Sequence, residues 1–173
     1  MTTNISTITM LTADRDPREP HRNLTTDIVG QTAPCARGAV YLSGPMSKLN
    51  ERSRADLLAY AWKMSWFEQQ LVKRDWVVFN PYASVLHPGN FEPKNHSTWI
   101  RHDEYLLEAA VLLKQAGRVD RAVWLGCPEW RGSGGSQQER GLARDKSMEL
   151  IEWKFKFGTN VLTWRNVAFV GVK

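Results

Sequence analysis

The sequence predicts a single α/β domain with a mainly parallel sheet flanked by helices. Three observations carry this expectation. Short apolar runs alternate with longer stretches in which apolar residues recur every three or four positions. The runs close on turn-forming residues, as in Ser43-Gly44-Pro45 and Asn80-Pro81. Strands separated by helices of this length pair through crossovers, which makes them mainly parallel.

The first 38 residues stand apart from this pattern. They are rich in Thr, Asp, Arg and Pro, and four acidic residues (Asp14, Asp16, Glu19, Asp27) balance four basic ones (Arg15, Arg18, Arg22, Arg37). A segment with no sustained apolar period buries too little surface to order itself. The folded domain is therefore expected over 39–173, and it carries the net positive charge.

Within the domain, residues 39–43 (Ala-Val-Tyr-Leu-Ser) read as the first strand, and a helix follows. Ser53 with Asp56 opens it in the manner of a capping box, and Leu57, Ala61, Met64, Phe67 and Leu71 form its apolar stripe. Residues 76–81 form a second buried strand, and 82–97, with Pro, Gly, Asn and His, a long loop. A second helix starts near Thr98, with Trp99, Asp103, Leu106, Leu107, Ala110 and Leu113 on one broad face. Residues 121–126 make a third strand. A third helix then runs to about Trp153, with Gly158 as its stop. Residues 161–164 and 167–172 are expected as one or two closing strands. The arrangement is Rossmann-like, of the flavodoxin-like kind. Such sheets bind ligands beyond the C-terminal ends of their strands. Both small-residue turns, at 43–46 and 131–136, fall at that end.

Composition bounds the function. A chain of 173 residues supports one domain with a sizeable core, and 42% apolar with 24% charged residues is ordinary for a globular protein. Eight tryptophans signal a substantial core or a binding surface. The formal charge of +5 favours anionic partners. No basic run or recognised motif supports nucleic acid as the partner. Cys35 and Cys127 are the only cysteines, which makes neither a disulfide framework nor a zinc motif and suits a reducing cytoplasm. No apolar run is long enough to predict a membrane span, and no secretion signal is expected.

The stretch Ser133-Gly134-Gly135-Ser136 raises the question of chemistry. Small residues there allow backbone N–H groups to cradle a phosphate or carboxylate at a helix start. Arg131 and Lys48 are the cations within reach of such a group. The pattern is neither a P-loop nor a dinucleotide fingerprint. Glu139 has two readings. With Ser136 it fits a capping box. In the first helical turn it would also stay ionised, as a nucleophile requires. Asp103 shares a face with Leu107 and Ala110, so it points inward. Burial raises a carboxyl pKa and suits proton exchange with a leaving group; a partnership with Arg101, His102 or a backbone amide is the other reading. Tyr41 lies in the first strand, near the C-terminal end, and its hydroxyl needs a partner if buried. Asp120 reads as a turn residue. His87, His96 and His102 are spaced by nine and six, which matches no common ligand pattern, so neither a metal nor a cofactor is expected.

Four pieces together resemble the nucleoside 2-deoxyribosyltransferase superfamily, which includes the deoxynucleoside 5′-monophosphate N-glycosidases. They are 40–46 (Val-Tyr-Leu-Ser-Gly-Pro-Met), 99–113, 120–130 and 133–143. The resemblance implies that Glu139 attacks the anomeric carbon of deoxyribose and that Asp103 handles the base or its proton. It implies that Tyr41 positions the glutamate and sugar. Ser133, Gly134 and Gly135, with Arg131, would hold a 5′-phosphate. Gly44, with Pro45 and Met46, would frame the base. The family builds its sites at subunit contacts, which implies a homodimer or larger homo-oligomer. The expected activity is cleavage of the N-glycosidic bond of a deoxynucleoside or its 5′-monophosphate through a covalent glycosyl-glutamate, resolved by water or a second base. The alternative is a nucleotide-binding module that keeps the fold without the chemistry.

Overall fold

The structure, a computed structural model, describes residues 36–46, 53–83, 96–156, 164 and 167–172, with side chains in the second helix from Ile100 onward. In chain order its elements are β1 (Gly38–Ser43), α1 (Arg54–Val72), β2 (Trp76–Phe79), α2 (His96–Gln115), β3 (Ala122–Gly126), a 3₁₀ turn (Trp130–Gly132), α3 (Gly134–Asp145), β4 (Glu149–Phe155) and β5 (Val167–Gly171). The fold is α/β. The five strands lie in the order β2-β1-β3-β4-β5. The first four are parallel, and β5 runs antiparallel to β4.

Alternation along β1 distributes its side chains between two layers. Val40 and Leu42 pack with Leu57, Ala61, Met64, Phe67 and Leu71 of α1 and with Trp153 of β4. Ala39 and Tyr41 face the other way, onto Leu107, Ala110 and Leu113 of α2 and Ala143 of α3. Helices therefore cover both faces of the sheet. Phe67 and Trp153 sit with ring centroids 4.5 Å apart at the centre of the α1 layer. Truncating such a buried ring to alanine costs about 3–5 kcal/mol.

The helix ends follow from local chemistry. The Ser53 hydroxyl accepts from the Asp56 N–H at 3.0 Å and caps α1. At the end of α2, Gly117 takes φ +65° while the Arg118 N–H donates to the Leu113 carbonyl at 3.0 Å. That 6→1 bond is a Schellman stop. Ser147, at φ 56°, does the same for α3, with the Met148 N–H donating to the Ala143 carbonyl at 3.0 Å.

This last stop corrects the expected third helix, which ends at Asp145 and not near Trp153. Residues 149–155 form β4 instead. Ile151, Trp153 and Phe155 alternate there with Glu152 and Lys154, a period of two that strand pairing satisfies and a helix cannot. Two expected boundaries also move. The fold begins before residue 39: Ala36 bridges to Val119, and the Arg37 N–H donates to the Asp75 carbonyl at 2.7 Å. The second strand stops at Phe79, because Asn80 turns the chain. Trp164 lies in a 3₁₀ turn against Phe67 and under the Arg74 guanidinium rather than in a strand. The rest of the 161–164 expectation, Gly158, the remainder of 1–38 and most of the 82–97 loop lie outside the described residues. No helix among the described residues is long and apolar enough to cross a membrane.

Candidate active site

The chain leaves β1 toward β2 on one side, then crosses back to β3 on the other. Connections that diverge in this way open a crevice at the C-terminal ends of β1 and β3. Ser43 and Gly126 are paired at that edge, and the Cys127 N–H donates to the Ser43 carbonyl at 2.7 Å.

Three elements direct polar side chains to this edge. Tyr41 and Ser43, two apart in β1, lie on the same side of the strand. Asp103 projects from α2 on the same face as Leu107 and Ala110, one and two turns before them. Glu139 projects from the second turn of α3. The Ser43 hydroxyl donates a short hydrogen bond to Glu139 Oε2. All are buried: Tyr41 and Ser43 are 0% exposed, Asp103 5% and Glu139 7%. Asp103 lies near enough to Glu139 for its charge to act on that carboxyl.

Electrostatics follow from this burial. Loss of water pushes the Glu139 carboxyl well above the ordinary range, and the neighbouring Asp103 charge pushes it further; the Ser43 hydroxyl pulls the other way. Burial first and the Asp103 charge second therefore favour the protonated form of Glu139. Burial likewise raises the Tyr41 phenol, with Asp103 and then Glu139 adding to it. The Tyr41 hydroxyl meets no acceptor at full hydrogen-bond geometry, although both acids act on its proton. His102 Nδ1 stands 3.6 Å from Asp103 Oδ1.

The capping-box expectation for Glu139 is corrected here. The cap of α3 is Ser133, whose hydroxyl accepts from the Ser136 N–H at 3.4 Å. The helix starts one turn earlier than Ser136 would place it, and Glu139 turns inward to Ser43. The expected ionised state is corrected as well, because burial outweighs the helix dipole one turn further in.

The small-residue turn is held from β4. Glu152 Oε2 accepts from Trp130 Nε1 at 3.0 Å and from the Arg131 guanidinium at 2.9 Å, while Oε1 accepts from Lys154 at 2.8 Å. Burial alone would raise the Glu152 carboxyl, but the bonds from Lys154, Trp130 and Arg131 outweigh it and hold it below the ordinary range. Arg131 also lies over the Trp130 ring, so its charge is already engaged. Gly134 is exposed, with open space where a Cβ would stand, and Gly135 is half-buried. The first N–H groups of α3 have no partner within the helix. Gly44 lies under two phenols: a Cβ there would come 2.6 Å from Tyr60 Oη and 2.8 Å from Tyr82 Oη. Pro45 is buried, and Met46 is partly buried against the α1 layer. Asp120 is exposed in the turn before β3. Lys48, His87 and the His96 side chain lie outside the described residues. Among the described residues no group of three or more His, Cys, Asp or Glu gathers as a metal site.

Two site residues escaped the sequence reading. Ser43 carried one signal, its position two residues after Tyr41 in a strand. Tyr82 carried another, its place just past the C-terminal end of β2.

Comparison with family models, with curated proteins and with solved structures yields no match. The geometry alone therefore bears on function. Two buried carboxyls near one another, one of them raised by burial and flanked by hydroxyls, can supply one acid and one nucleophile or base.

Proposed function

We propose that the chain is a Rossmann-like enzyme of the nucleoside 2-deoxyribosyltransferase kind, cleaving the N-glycosidic bond of a deoxynucleoside or its 5′-monophosphate. The observation that carries this reading is the buried Ser43–Glu139 hydrogen bond with Tyr41 and Asp103 beside it, at the C-terminal edge of β1 and β3.

On this reading the proton held by the acid pair passes through Asp103 to a ring nitrogen of the departing base. The bond from C1′ to that nitrogen breaks as Glu139, now ionised, bonds to C1′. Ser43 holds the attacking carboxylate, and the Tyr41 hydroxyl supports its charge. Water or a second base then attacks C1′, releases Glu139, and its proton returns to the pair. Retention through a covalent glycosyl-enzyme is the usual outcome for two carboxyls this close. A 5′-phosphate would meet the first N–H groups of α3 at Gly134 and Gly135. The working unit on this reading is a homodimer or larger, in the cytoplasm.

The test is incubation with each common deoxynucleoside and its 5′-monophosphate, with free base followed by chromatography. Wild type releases base and Glu139→Ala does not; base release by Glu139→Ala refutes the assigned nucleophile. One observation favours a second reading, a nucleotide-binding module without chemistry: a protonated Glu139 bonded to Ser43 also serves as a structural acid. Such a module gains thermal stability from a nucleotide and leaves it intact.

A further inference from the structure

The end of β2 carries a group that the acid chemistry leaves unused. The Tyr82 N–H donates to Asn80 Oδ1 at 3.0 Å, and Asn80 Nδ2 donates in turn to Glu68 Oε2 of α1 at 2.8 Å. The Tyr82 ring packs on Tyr60 with centroids 5.3 Å apart. Main chain and ring are thus fixed from two sides. The hydroxyl is not satisfied by the same surroundings. Tyr82 is 1% exposed, and its Oη finds no hydrogen-bond partner. Tyr60, its neighbour, donates to the Pro128 carbonyl at 2.7 Å. A buried hydroxyl without a partner is costly, and such groups persist where a ligand completes them.

Two further observations point that hydroxyl at the site. Residue 44 has no side chain where the phenol arrives, since a Cβ would stand 2.8 Å from Tyr82 Oη. Tyr41 Oη likewise has no hydrogen-bond partner, and Asp103 Oδ1 has only His102 Nδ1, 3.6 Å away. Both acids also act on Tyr82, after burial, Tyr60 and Cys127, and keep its phenol neutral and proton-bearing.

Strand order gives the direction. β2 and β3 flank β1 on opposite sides. The start of α3 follows β3 and Tyr82 follows β2, so the two leave the sheet on opposite sides of β1. A nucleotide with its phosphate at α3 and C1′ at Glu139 sends its base toward β2.

We propose that Tyr82 is a substrate-binding residue whose hydroxyl donates a hydrogen bond to an uncharged acceptor on the nucleobase, a carbonyl oxygen or ring nitrogen, and so takes part in choosing the base. The assignment rests on the function proposed above. The neighbouring acids disfavour an anion at this position, which leaves a neutral acceptor.

Tyr82→Phe keeps the ring and its packing and removes only the hydroxyl. Wild type and variant are compared in base release from the common deoxynucleoside 5′-monophosphates. Binding of 2-deoxyribose 5-phosphate, a probe without a base, is followed by thermal shift. The expected result is a fall of about 3- to 10-fold in kcat/KM for the preferred base. The preference among bases narrows, binding of the baseless probe is unchanged, and the ligand-free melting temperature is no lower than that of wild type. Unchanged base preference overturns the assignment. So does a lowered ligand-free melting temperature, which would give the hydroxyl a structural partner such as bound water, and so does equal loss of the baseless probe. If wild type neither binds nucleotide nor releases base, the proposed function fails and Tyr82 fails with it. If wild type acts and the variant matches it, the Tyr82 assignment alone fails.

Discussion

Replacing Gly44 by alanine tests how tightly the two phenols close over β1. The new Cβ would stand 2.6 Å from Tyr60 Oη, 2.8 Å from Tyr82 Oη and 3.0 Å from Tyr60 Cε1. Non-bonded atoms prefer separations of about 3.5 Å, so some part must yield by roughly 0.5–1 Å. Neither ring yields freely. The Tyr60 hydroxyl is anchored to the Pro128 carbonyl at 2.7 Å, and the Tyr82 main chain is tied to Asn80. Overpacking of this kind costs about 1–3 kcal/mol. Loss of the Tyr60 hydrogen bond adds about 0.5–1.5 kcal/mol if that ring moves. The expected destabilisation is about 1.5–4.5 kcal/mol, which in a chain of this size lowers the melting temperature by about 3–18 °C. Urea unfolding with a fitted midpoint and slope measures it. Gly44→Ala combined with Tyr60→Phe removes the nearest opposing atom, so the double variant should be more stable than the two single losses added together. A Gly44→Ala protein within about 0.5 kcal/mol of wild type, or strict additivity in the double variant, refutes the packing argument.

Three further variants probe the buried acids Glu139 and Glu152. Glu139 titrates well above its ordinary value of 4.5 because of burial first and Asp103 second. The folded state therefore binds more protons than the unfolded one above that value. The group's contribution to stability is full at lower pH and is lost as pH rises through the raised value. Glu139→Gln does not titrate, so urea midpoints across a pH series should show it gaining on wild type as pH rises; a constant gap contradicts the shift. Glu152→Ala leaves Trp130 Nε1 without its acceptor and should cost about 1–3 kcal/mol in thermal unfolding. Arg131 and Lys154, at 63% and 59% side-chain exposure, simply return to water. Glu152→Gln keeps an acceptor for Trp130 and should cost less, so equal losses would remove the Trp130 bond from the account.

Much of the architecture was readable because local and global preferences agree. The apolar run 39–43 before Gly-Pro, and the stripe from Leu57 to Leu71, each have one physical solution. Asp103 was legible for the same reason: four and seven residues before Leu107 and Ala110, it had to share their face. Residues 149–155 were not. Met148, Glu149, Leu150 and Lys154 are good helix formers, and only pairing with β3 and β5 settles the strand. The start of α3 offered two caps, Ser133 and Ser136. The choice between them depends on Glu139 being drawn to Ser43, a partner no local window contains. Ser43 was overlooked because nothing near it in the chain explains its hydroxyl.

The Ser43–Glu139 bond joins positions 96 residues apart. Both β2 and β3 lie between its two ends. A growing chain on the ribosome therefore carries no Ser43–Glu139 centre until α3 has emerged and docked. A fragment cut anywhere between these residues loses the centre outright. Burying the acids there is costly, so assembly of the centre draws on the cohesion of the whole sheet. On the proposed function, recovery of activity during refolding should mark the closing of the final crossover.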